Sequence, residues 1–112
     1  MDSVDWLISN DVLEFEKTTL EGKIKALAEA KQSVPVDLIE RKEAVELKLN
    51  LLQVQVQTGQ LQPEVYFEML RKKIGEEKKW ALKFKNEGRK SDAVAALRRV
   101  KLMQKELQDS QT

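Results

Sequence analysis

The sequence predicts an all-α protein of four helices paired as two antiparallel hairpins. Apolar residues recur at three-, four- and seven-residue intervals along most of the chain, the spacing of one helix face. Charged residues make up 35% of the 112 positions and aromatics 5%, a balance suited to narrow apolar seams between solvated helices. Both prolines and two of the four glycines fall where the periodicity pauses, at Pro35, Gly59, Pro63 and Gly88, and mark turns, while Gly22 and Gly75 fall inside the first and third helical runs. The hairpins are expected at 10–58 and 63–109, with 1–9 an N-terminal extension and 110–112 a tail. They either fold together as an up-down bundle or stay extended as antiparallel coiled coils that bury further surface by dimerising. Were Gly88 to remain helical, the last two segments would fuse into one rod.

The first helix is expected to start near Ser9, Asn10 and Asp11, all good N-cap residues. Glu14 and Glu16 follow in its first turns, where negative charge suits the helix dipole. Leu13, Leu20 and Leu27 repeat every seven residues, with Ile24 between them, the seam of a helix packed on another helix. Pro35 disfavours helical geometry at Val34 and forces a turn. Asp37 and Glu40 then form an acidic version of a capping box. Leu38, Val45, Leu49, Leu52 and Val56 carry the second helix. Val54 and Val56 also alternate with glutamine, which leaves a short strand as the minor alternative there. Thr58 and Gly59 stop this helix.

Pro63 suits the first turn of the third helix, where a missing amide costs nothing. Phe67, Leu70, Ile74, Ala81 and Phe84 fall near one face. Trp80 lies four residues before Phe84, so the two rings can stack. Gly88 is the expected C-terminal cap, and Ser91 the cap of a fourth helix. Ala93, Leu97, Val100, Met103 or Gln104, and Leu107 would point toward its partner. Each helix is about 30 Å long. The cluster Trp6, Leu7 and Ile8 is expected to dock back on the helices, with partner anchoring as the alternative.

The chain has no His and no Cys. Imidazole bases, thiolate nucleophiles and Cys/His zinc sites are therefore excluded, as are disulfides. The carboxylate pairs Glu14/Glu16, Glu40/Glu43 and Glu76/Glu77 lack the histidines of a di-metal bundle site. Gly88-Arg-Lys-Ser91 lacks the glycine spacing of a phosphate loop. No cofactor and no metal are expected, and no enzyme activity. No apolar run approaches the roughly 18 residues of a membrane span. The acidic opening stretch lacks the basic region of a signal peptide. These features lead to the expectation of a soluble, cytoplasmic module.

Charge is unevenly spread. Residues 1–70 hold 7 basic and 13 acidic side chains, and residues 71–105 hold 13 basic and 4 acidic ones. Arg98, Lys101 and Lys105 follow one side of the fourth helix at i, i+3 and i+7. Arg71, Lys78 and Lys85 repeat every seven residues on the third, and Arg89 and Lys90 flank the turn. Such a hairpin would offer a positive docking surface for an acidic helix. Phe67, Trp80 and Phe84 lie among these basic residues, but at core spacing, so packing explains them better than nucleic-acid stacking.

The stretch from Trp80 to Leu107 (WALKFKNEGRKSDAVAALRRVKLMQKEL) resembles the short helical-hairpin repeats of the Lethal giant discs family, in which coiled coils accompany a lipid-binding-type β domain. It also looks like the tip of the first hairpin of ESCRT-III subunits, where a Gly-basic turn precedes an Ala-rich basic helix. Tetratricopeptide-like and microtubule-interacting helical domains share the Gly turn and close-packed Ala. The resemblance implies that Gly88 turns the chain, that Ala93 and Leu97 pack, and that Arg89, Lys90, Arg98, Arg99 and Lys101 contact a partner. It further implies an endosome-associated scaffold whose partner is an ESCRT-III subunit. The first 60 residues have no counterpart in that pattern.

The leading expectation is thus a non-enzymatic scaffold in membrane trafficking, with Arg89, Lys90, Arg98, Arg99, Lys101 and Lys105 binding an acidic protein surface. Binding to anionic membrane is the alternative, since each surface Lys or Arg contributes about 1 kcal/mol there. A structural coiled-coil segment forming a homodimer is another. Nucleic acid ranks last, because the net charge is +1 and no base-reading motif is present.

Overall fold

Local chemistry sets four helices. The computed structural model describes residues 7–110. They form α1 (Asn10–Glu29), α2 (Val36–Gln57), α3 (Pro63–Asn86) and α4 (Lys90–Ser110), with no strand among the described residues. α1 packs on α2 and α3 packs on α4. The chain divides into two compact units between Gln60 and Leu61, each a helical hairpin.

In the first hairpin, Ser9 caps α1: its Oγ accepts a hydrogen bond from the Val12 amide at 3.2 Å. That satisfies one of the amides a helix start leaves unpaired. Leu7 precedes the cap and is buried, as docking requires. Its neighbour Trp6 lies outside the described residues. Leu13, Leu20, Val45 and Leu49 are buried, and Ile24, Leu27, Leu38 and Leu52 are half-buried along the same seam. An ion pair between Glu16 and Arg41 ties the two helices together.

Two boundaries differ from the sequence expectation. α1 ends before the proline, because Lys31 adopts a left-handed φ of +57°. The Gln32 amide then donates to the Leu27 carbonyl at 2.9 Å, and the Lys31 amide to Ala28 at 3.0 Å. This is a Schellman closure, which normally uses glycine. Asp37 is not a cap: α2 begins at Val36 with Pro35 at the N-cap and no side-chain capping bond, which places Asp37 inside the first turn. Val54 and Val56 stay helical to Gln57 with Thr58 at the C-cap, as the main expectation had it, and the alternative strand does not form there.

In the second hairpin, Pro63 occupies the start of α3. Tyr66, Leu70, Ile74, Ala81 and Phe84 are buried on α3, and Ala93, Ala96, Val100 and Met103 on α4. Near the turn, Ala81, Phe84, Ala93 and Ala96 form one cluster with Trp80 packed against it. The Trp80 and Phe84 rings stack, with centroids 5.7 Å apart. The two alanines let α4 approach the Phe84 ring closely. Gly88 breaks the helix rather than extending it. Its φ is +75°, and the Arg89 amide donates to the Phe84 carbonyl at 2.8 Å.

Ala93, Val100 and Met103 face inward on α4 as expected, and one position differs. Leu97 is exposed, and Ala96, one residue earlier, is fully buried. Ser91 falls within the first turn of α4 instead of capping it.

Candidate functional site

The site is the outer face of α4. Because Ala93, Ala96, Val100 and Met103 face inward, the opposite side carries Lys90, Val94, Leu97, Arg98, Lys101 and Lys105, all exposed. At about 100° per residue, Lys90, Val94, Leu97, Lys101 and Lys105 fall within an arc of about 80°. They follow one another at three- or four-residue steps, so they are neighbours along the helix surface.

This face keeps its positive charge. Lys90, Lys101 and Lys105 make no ion pair among the described residues. Two of the three acids of α4 are engaged elsewhere. Asp92 binds Arg89, with Oδ2 2.7 Å from Nη2. Glu106 accepts a hydrogen bond from the Tyr66 hydroxyl. Asp109, four residues beyond Lys105, lies within side-chain reach of it along the helix, so the lysines outnumber the one acid near them. On α3, Lys78 and Lys85 are likewise exposed and without an ion pair among the described residues, whereas Arg71 pairs with Glu68.

Two of the six predicted contact residues have other work. Arg89 is bound at the turn by Asp92, and its guanidinium lies over the Phe84 ring at 4.6 Å. It braces the tip. Arg99 lies off the exposed stripe and is only 23% exposed, with Nη2 2.9 Å from Oε2 of Glu77. Glu77 itself is 3% exposed. Arg99 therefore joins α3 to α4 and is not part of the outer surface. Arg98, Lys101 and Lys105 share the side of α4 the sequence pattern assigned them, and Lys90, expected at the turn, begins the same helix exposed beside them.

Val94 and Leu97 were not expected on that face. They place two apolar side chains between the lysines, so the surface is amphipathic and not purely ionic. The signal for this is the Ala93/Ala96 pair: small residues three apart mark the side of closest helix approach, which leaves Leu97 outside.

Among the described residues no group of three or more carboxylates is placed to hold a metal ion, and no helix is long and apolar enough to cross a membrane. No family model, no curated protein and no solved structure matches this chain.

Proposed function

We propose that the protein is a non-enzymatic interaction module whose α4 face binds an acidic protein surface. The observation that carries this reading is the set of lysines at 90, 101 and 105, without ion pairs among the described residues, around exposed Val94 and Leu97. Positive charge steers an acidic partner and sets its register, and the apolar pair adds contact that salt does not screen. A sequence without His or Cys supports binding over catalysis. A place in endosomal trafficking, with an ESCRT-III subunit as the partner, is supported only by the resemblance of residues 80–107.

The test is fluorescence anisotropy with a labelled, acidic, amphipathic helical peptide. Saturable binding that weakens with salt and is lost in Lys101→Glu/Lys105→Glu supports the proposal. Binding unchanged by that double reversal rules it out. The same exposed lysines and apolar pair also suit an anionic bilayer surface. Flotation with vesicles containing phosphatidylserine separates the readings: flotation without peptide binding favours the membrane, and peptide binding without flotation favours the protein partner.

A further inference from the structure

The outer face of α2 is built to complement that of α4. Leu47, Leu51 and Val54 are 59%, 51% and 51% exposed, an unusual cost for three consecutive apolar positions of one helix stripe. Glu40 and Glu43 continue the same stripe toward the N-terminus. The five positions fall within an arc of about 80°. Neither glutamate has an ion pair among the described residues; Glu46, off the stripe, holds Lys42 at 3.0 Å. The α2 stripe is thus acidic at its start and apolar at its end. The α4 stripe is apolar in its first half, with Val94 and Leu97 at 49% and 48% exposure, and basic toward its end.

Laid antiparallel, the stripes match position by position. Leu51 meets Val94, Leu47 meets Leu97, Glu43 meets Lys101, and Glu40 meets Lys105. Val54 falls under the aliphatic stem of Lys90. Spacing agrees to within one residue at each step, since both stripes advance by steps of three or four residues and span 14 and 15 residues. A parallel alignment instead sets Glu43 on Val94 and Leu51 on Lys101. Bulk charge points the same way: residues 1–60 hold 11 acidic and 7 basic side chains, and residues 61–112 hold 8 acidic and 13 basic. Neither stripe is covered by its own hairpin, and every copy of the chain carries both.

We propose that a second copy of this chain is that partner, with α2 of one copy lying antiparallel on the α4 face of another. The inference rests on the reading of α4 as an acceptor for acidic surfaces and names the acidic helix. The contact joins unlike faces, so it is satisfied either by two copies exchanging both contacts or by a longer series.

Sedimentation velocity of the full chain over a concentration series tests it. Apparent mass is expected to rise with concentration and to rise less at high salt. Glu43→Lys and Lys101→Glu, both exposed and expected to retain full helicity, should each weaken association at least about tenfold, because like charges then face each other. An equimolar mixture of the two variants should associate again, since the unmodified α2 of one fits the unmodified α4 of the other. A concentration-independent monomer overturns the inference, as does a mixture that stays dissociated. Leu47→Glu distinguishes the two proposals: it should abolish self-association and leave binding of the acidic peptide intact. Peptide binding in a chain that never self-associates overturns only the inference drawn here. Loss of neither property in Lys101→Glu/Lys105→Glu overturns both.

Discussion

Glu77 and Arg99 hold α3 against α4 through a contact of 2.9 Å, with the glutamate 3% exposed and the arginine Nε buried without a hydrogen-bond partner. A largely buried ion pair of this kind adds little net stability over an apolar pair, but losing one member leaves the other charge stranded. Glu77→Ala is expected to destabilise the second hairpin by about 2 kcal/mol, toward the low end because Arg99 retains some solvent contact. Glu77→Leu/Arg99→Met should recover most of that loss. Urea denaturation followed by circular dichroism measures both. A single substitution that costs nothing would mean the pair does not join the helices.

The left-handed Lys31 is a site of avoidable strain. A side chain there costs about 1 kcal/mol relative to glycine. Lys31→Gly is expected to raise stability by about 0.5–1 kcal/mol. Gly88→Ala should do the reverse. Nothing lies within 4 Å of an added Cβ there, so its cost of about 1 kcal/mol is conformational only. Thermal melts of the two variants should shift in opposite directions.

Ser9 is almost fully buried and caps α1. Ser9→Ala removes the acceptor for the Val12 amide and is expected to cost about 1 kcal/mol. Ser9→Asp should keep the capping bond and lose less. Hydrogen exchange at the first turn of α1 reads the difference.

Ala96 is fully buried where α4 meets α3. Ala96→Leu has no space to fill and is expected to destabilise by about 1–3 kcal/mol. Leu97→Ala, one position later and on the outer face, should stay within about 0.5 kcal/mol. Equal effects at the two positions would contradict the inward placement of Ala96 and the outward placement of Leu97.

The helices and turns were legible because local chemistry decides them. Ser9, Pro63 and Gly88 act where their side chains or backbones predict. Lys31 was not legible, because lysine has no left-handed preference and the turn is imposed by closure onto Leu27. Asp37 misled for a related reason: Pro35 already sets the helix start one residue earlier. On α4, hydrophobicity favoured Leu97 for the interior, and only packing against Phe84 selects Ala96 instead. The same ambiguity hid half of the candidate site. Lys101 and Lys105 were visible as a periodic stripe, but Val94 and Leu97 join them only once the helix phase is known. Arg99 looked equivalent to Arg98 in sequence, and the inward position of Glu77 separates them.

The most direct test of the α4 face is chemical-shift mapping of the 15N-labelled chain during titration with the acidic amphipathic peptide. Amide perturbations are expected to concentrate on Lys90, Val94, Leu97, Lys101 and Lys105 and to fade as salt is added. Perturbations confined to the Arg89 turn or to other helices, or no saturable shifts at all, would contradict the assignment of this face as the binding surface.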